Sequence, residues 1–201
     1  MTLILILLGL TLGLFAGITE AKAEATSGPY CQAIDRLDQS ERIENIASIK
    51  KADYILISKD RRKLYLLSEG RVVSEYGVSF GFGAKDGAKF KDGDGRTPEG
   101  IYSVAFKNSD SKYHLALKLS YPNQNDILNA EKLNVNPGSN IMIHGLPSGL
   151  VDDLIPSLIQ KVHTFVDWTQ GCIAVTDHEI EEIFSLVQEG IPVEICGLSR
   201  P

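Results

Sequence analysis

The spacing of apolar side chains changes along this chain, and each change marks an element. A largely apolar run occupies Leu3 to about Ile18. From Gln32 to Lys51 the apolar residues Ala33, Ile34, Leu37, Ile43, Ile46 and Ile49 recur at three- and four-residue steps among charges, which predicts an amphipathic helical extension. The period then shortens. "DYILISK", "KLYLLS" and "RVVSEYGVSFG" are rich in β-branched and aromatic residues, with "SEGR" as a turn between the second and third, so the domain is expected to open as antiparallel β. "IYSVAF" and "HLALKLS" read as further strands, "YPNQND" as a turn, and "NIMIHG" as a strand that delivers His144 at its end. "SGLVDDLIPSLIQKV" is helical in pattern, with Pro156 starting or kinking the helix rather than lying inside it. A last helix follows the capping box Thr176-x-x-Glu179, carries Ile180, Ile183, Phe184 and Val187 on one stripe and is expected to stop at Gly190; "IPVEIC" closes the chain as a strand. The fold class is therefore mainly β with flanking helices, α+β, without internal repeats.

Composition narrows the classes of function. The 201 residues suit one domain with a real core and a short extension. Twenty Lys and Arg against 26 Asp and Glu leave a net charge of −6, which argues against nucleic acid as the main partner. The stretch "GFGAKDGAKFKDGDGRTPEG", Gly81 to Gly100, is loaded with glycine and charge and reads as a surface loop. At the start, the apolar run followed by Ala21-Lys22-Ala23 has the form of a signal peptide, so residues 1–23 are expected to be a signal peptide or, if uncleaved, an N-terminal anchor. The usual basic residue ahead of the run is missing. Export would place the protein in the periplasm or cell envelope.

The candidate chemistry centres on cysteine. Cys31, Cys172 and Cys196 are three, an odd number for an oxidising compartment, so at least one thiol stays unpaired or pairs with another molecule. A Cys31–Cys196 bridge tying the two ends of the domain is one hypothesis. Cys172 follows Gly171, which lets the backbone turn closely and aim N–H groups at a developing oxyanion, as acyl transfer to a thiolate needs. The alternative is a buried small hydrophobe, the commoner fate of a free cysteine. A thiolate requires a base or a positive environment, and of four histidines His144, at a strand end before Gly145, is the best placed. His114 suits a surface or cross-strand position, His163 a structural one and His178 an exposed first helical turn. A metal held by Cys172, His144 and His163 matches no common zinc spacing.

"IMIHG" followed by "DWTQGCIAV" resembles the L,D-transpeptidase catalytic domain, the YkuD family, with its strand-borne His-Gly and later Ser/Thr-x-Gly-Cys. "DYILISKDRRKLYLLSEGRVVSEYGVSFG" is similar to the family's opening hairpin and "DGRTPEGIYSV" to its R-T-P-x-G segment, while "YPN" with Asp126 and "DWTxGCIAVT" look closer to the YafK-like branch. The resemblance implies a YkuD-like β-sandwich or barrel over 52–197, preceded by the helical extension over 24–51. It implies Cys172 as nucleophile, His144 as general base, and the Gly145 carbonyl as the group orienting the imidazole. Amides around Gly171 and Cys172 would form the oxyanion hole, with Thr169 and Gln170 lining the approach. The implied substrate is a peptidoglycan stem peptide, attacked to give a thioester that an amine opens; no cofactor or metal is required, and carbapenems are expected to inhibit. Water as acceptor would instead give a peptidase or amidase that trims stem peptides or detaches a wall-linked lipoprotein. A lipoprotein lysine would anchor protein to the wall, and a catalytically silent wall-binding domain is a further class. Many members carry an arginine where this chain has Ala174, so a substrate carboxylate must be recognised elsewhere, with Arg96 one candidate and a structural loop arginine its equal alternative. The long interval between His144 and Cys172 suggests an added helical cap.

Overall fold

The computed structural model describes residues 28–37, 51–147 and 163–198. The segment 1–23, most of the helical extension and the helix expected in "SGLVDDLIPSLIQKV" lie outside the described residues. Eight strands form one sheet: β1 Tyr54–Ser58, β2 Lys63–Ser68, β3 Arg71–Gly77, β4 Gly100–Ser111, β5 His114–Leu119, β6 Met142–His144, β7 Ile173–Ala174 and β8 Pro192–Cys196, in the order β3-β2-β1-β8-β4-β5-β6-β7. The opening is antiparallel as the pattern predicts, and Glu69 and Gly70, both at positive φ, make the turn between β2 and β3. The sheet as a whole is mixed, because β1 pairs parallel to β8 and β6 parallel to β7. No local period reports which distant strand a segment joins.

β4 is longer than its apolar stretch suggests. Its start pairs with β8 and the remainder with β5, so this 12-residue strand belongs to both halves of the sheet. Beyond β3 the chain runs on to the other edge, where Ser79 exchanges both backbone hydrogen bonds with Ala174 and Gly81 bridges Thr169. These contacts bring the two sheet edges together as in a barrel, and they hold the stretch before β7 against the end of the opening hairpin.

Inside the sheet, Ile57, Leu64, Phe80, Leu117, Ile143, Ile173 and Ile180 belong to the main core. A second cluster, Leu56, Tyr65, Leu67, Val72 and Cys196, lies on the other face of the hairpin, with Tyr30, Cys31, Ile34 and Leu37 packed on it. Burial on both faces explains why "YILIS" and "KLYLL" read as continuous apolar runs rather than alternating ones. The covering segment is a short 3-10 turn, Cys31–Ala33, and one helical turn, α1, Ile34–Leu37. A Cys31–Cys196 disulfide ties it to β8, as hypothesised from the sequence. It is also pinned to the fully buried Glu194, whose carboxylate accepts the N–H groups of Tyr30 and Cys31 and the hydroxyl of Tyr54.

Two helices complete the described fold. The expected turn in "YPNQND" holds only to Asn123, which instead caps α2, Gln124–Lys132, in a reciprocal box with Asp126. Only Ala130 of α2 is buried, so no apolar stripe advertised it. The last helix, α3, Asp177–Leu186, begins at the expected Thr176 and Glu179 box but ends four residues before Gly190, because Val187 is extended. Gly190 sits in the following turn at φ 88° and donates to the Val104 carbonyl.

Candidate functional site

His144 ends β6 and Cys172 immediately precedes β7. In the parallel register His144 faces Ala174, which sets Cys172 one diagonal step away, and both side chains line one cavity of about 530 Å³. His144 is 3 % exposed, between the rings of Tyr113 at 4.4 Å and Trp168 at 5.9 Å. Its Nδ1 lies 2.7 Å from the carbonyl oxygen of Gly145. A carbonyl only accepts, so Nδ1 carries the hydrogen and Nε2 keeps the lone pair. Burial pushes the imidazole below its ordinary value, against the raising effect of the Gly145 bond, and the ring is therefore neutral at pH 7.

The turn beyond His144 is built from close contacts. A Cβ on Gly145 would stand 2.5 Å from Asp177 Oδ1 and 3.0 Å from the Tyr113 carbonyl oxygen, so only glycine fits. Asp177, the first residue of α3, accepts the Leu146 N–H at 2.7 Å. The capped helix thus buttresses the strand end that carries the imidazole.

Cys172 is the free cysteine of the described chain and is partly exposed. Burial pushes its thiol up, while the Met142 main chain and the Lys89 charge pull it down by less. The preceding turn is closed by Thr169, whose hydroxyl donates to the Cys172 carbonyl at 2.7 Å and accepts the Gly171 N–H at 3.1 Å. Gly171 sits at φ 132°, and a Cβ there would be 2.7 Å from the Arg96 carbonyl oxygen. The whole stretch is fastened upstream by Arg62, whose guanidinium holds both Asp167 oxygens, the nearer at 2.6 Å, and the Thr164 carbonyl. Asp167 also accepts the Phe80 N–H, and although burial raises its carboxyl, these hydrogen bonds and the Arg62 charge hold it below the usual range.

The glycine-rich loop is less of a surface feature than its composition suggests. Thr97 and Lys89 are buried, and the Thr97 hydroxyl accepts the Gly81 N–H. The Arg96 main chain backs Gly171, but its guanidinium lies 5.0 Å from the centre of the Phe90 ring and bonds the Ala88 carbonyl, away from the cavity wall. The structure therefore brings Cys172, His144, Thr169 and Gln170 to one cavity and does not bring the Arg96 side chain there.

Of the other histidines, His163 is buried against Ser79 rather than on the cavity, His114 meets Glu181 at 2.7 Å, and His178 is exposed. Among the described residues Cys172, His144 and His163 do not gather as a ligand set. Sequence reasoning overlooked Lys89, Asp92, Tyr113, Ser139 and Asn140 on the cavity wall, and Trp168 within its own quoted motif. Nothing in a charge-rich loop distinguishes the buried lysine from its neighbours.

The YkuD family, described as the L,D-transpeptidase catalytic domain, matches residues 52–195. "Putative L,D-transpeptidase YafK" of Escherichia coli (strain K12) is 30 % identical over 145 residues, 67 % of this chain and 46 % of that protein. The chain thus spans less than half the length of this curated relative. Among solved structures, Bdellovibrio bacteriovorus Bd1075 is 22 % identical, with a TM-score of 0.47 over 76 % of this chain and 54 % of that one. Mycobacterium tuberculosis L,D-transpeptidase 1 is 13 % identical, with a TM-score of 0.43 over 72 % and 60 %.

Proposed function

Because this chain belongs to the YkuD family of L,D-transpeptidase catalytic domains, we propose that it performs cysteine-dependent acyl transfer on peptidoglycan stem peptides in the cell envelope. One observation carries the reading. His144 gives its Nδ1 hydrogen to Gly145 and so keeps Nε2 as a base in the cavity that holds the free thiol of Cys172. Nε2 takes the thiol proton as sulfur attacks the scissile carbonyl. The carbon–nitrogen bond then breaks, and the departing amine leaves with that proton, so that a thioester and a neutral imidazole remain. An acceptor amine attacks the thioester, passes its proton to Nε2 and releases the thiolate, which regains it. The oxyanion falls to the Cys172 amide, since the Gly171 N–H is already donated to Thr169. Thr169 therefore shapes the turn, and the exposed Gln170 faces the approach.

Two features support the envelope as the setting. The Cys31–Cys196 disulfide persists in oxidising compartments, and the apolar start of the sequence has the form of an export signal. A wall-anchored lipoprotein supplying a lysine would suit the same chemistry as an acceptor.

Mass spectrometry of the full chain with a stem tetrapeptide tests the proposal. A Cys172 adduct of substrate mass less its leaving amine, passed on to an added diamino acid, is the expected result. Passage to water alone would make the protein a hydrolase. Absence of any adduct or product, with Cys172 still open to small electrophiles, would refute acyl transfer. A carbapenem is expected to add its mass at Cys172, because its strained carbonyl meets the same sulfur.

A further inference from the structure

The cavity holds a cation that the proposed chemistry has not used. Lys89 lines the same cavity as Cys172, yet its side chain is only 3 % exposed. An ammonium has three N–H donors, and two are committed, to Asp94 Oδ1 at 2.8 Å and to the Lys91 carbonyl at 2.9 Å. Asp94 itself is saturated. Besides Lys89 it accepts the N–H groups of Phe90, Lys91 and Arg96 at 2.9, 3.1 and 3.0 Å. Although burial raises the Asp94 carboxyl, those bonds hold it below the usual range, so it stays an anion and fixes the lysine in place. The loop is thus curled around Asp94 so that Lys89 stands at the cavity with one donor left. Neither the Arg96 nor the Arg62 side chain lies on the wall, and the position two residues beyond the thiol is the fully buried Ala174.

We propose that Lys89 is the anion-binding residue of the cavity, taking a carboxylate of the bound peptide. The proposal rests on the acyl-transfer reading for the identity of the peptide, but the anion site itself can be measured without substrate. A held ammonium suits a carboxylate as a point charge, and burial strengthens the attraction. The same charge acts on the Cys172 sulfur.

The test alkylates Cys172 in the full-length protein with two reagents of nearly equal size, anionic iodoacetate and neutral iodoacetamide. Both consume the same thiolate, so the ratio of their rates cancels any change in thiol pKa and reads attraction of a carboxylate alone. The ratio in the wild-type protein, normalised to a free thiol, is expected to fall about tenfold in Lys89→Met and to survive in Lys89→Arg, as the loss or retention of one charged hydrogen bond. An unchanged ratio in Lys89→Met overturns the proposal. If Lys89→Met fails to fold, Lys89→Met with Asp94→Asn removes the buried pair together and is judged by the same fall. With peptides, the wild-type protein should prefer a free terminal acid to its amide, and Lys89→Met should lose that preference in KM. A Lys89-dependent alkylation ratio without any peptide turnover would sink the acyl-transfer reading and leave the anion site standing.

Discussion

Asp177 Oδ1 accepts the backbone N–H of Leu146 at 2.7 Å, from a position 2.5 Å from where a Gly145 Cβ would stand. The first residue of α3 therefore determines the path of the turn whose carbonyl holds the His144 imidazole. Asp177→Ala is expected to lower kcat about tenfold, because small displacements of the proposed base are costly, and stability by about 1 kcal/mol for one partly buried hydrogen bond. Asp177→Asn retains an acceptor oxygen and should keep most of both. Steady-state kinetics and thermal unfolding of the two variants decide; equal losses in Asn and Ala would refute a positioning role.

Gly171 lies at φ 132° with the Arg96 carbonyl 2.7 Å from its missing Cβ. Gly171→Ala combines a backbone region closed to side chains with a clash against main chain, and is expected to cost about 3 kcal/mol. That corresponds to a Tm lower by roughly 10 °C for a domain of this size. A calorimetric Tm within about 2 °C of wild type would contradict the tight packing of the loop against the turn.

The burial that pushes the Cys172 thiol up also pushes the His144 imidazole down. A raised thiol is protonated and a lowered imidazole unprotonated at pH 7, so the resting pair is neutral and, in the proposed mechanism, the proton would move only as sulfur attacks. Alkylation of Cys172 by iodoacetamide should accordingly keep accelerating past the ordinary thiol range of about pH 8.5. A rate already flat at neutral pH would instead indicate a preformed thiolate–imidazolium pair.

The Cys31–Cys196 bridge closes a separation of 165 residues. By loop entropy alone such a closure contributes up to about 5 kcal/mol. Reduction, or Cys31→Ser with Cys196→Ser, is expected to lower the Tm by more than about 10 °C while leaving alkylation of Cys172 unaltered at low temperature, since neither cysteine touches the cavity. Thermal melts with and without reductant, and the alkylation rate in each, check both halves. An unshifted Tm would mean that Glu194 and the apolar contacts hold the N-terminal segment unaided.

Local patterns were sufficient wherever a residue's environment depends on its neighbours in sequence. The strands of the opening hairpin, the Thr176 and Glu179 cap of α3, and the placing of His144 at a strand end follow from β-branched and aromatic enrichment and capping chemistry acting over a few residues. α2 escaped because a helix with one buried alanine has no stripe to read, although its Asn123 and Asp126 box was present. The parallel pairing of β1 with β8 and of β6 with β7 joins segments distant in sequence, and register between them is determined by packing across the core. The same holds within the site. Sequence singled out Cys172 and His144 by residue type, and the family resemblance implied the Gly145 carbonyl as the group orienting the imidazole, but only the folded chain decided that Asp177 supports the turn and that Lys89 rather than the Arg96 guanidinium stands on the cavity wall. Hydrogen-bond direction and burial belong to three-dimensional neighbours, and a charge in a polar loop carries no mark of which way it will face.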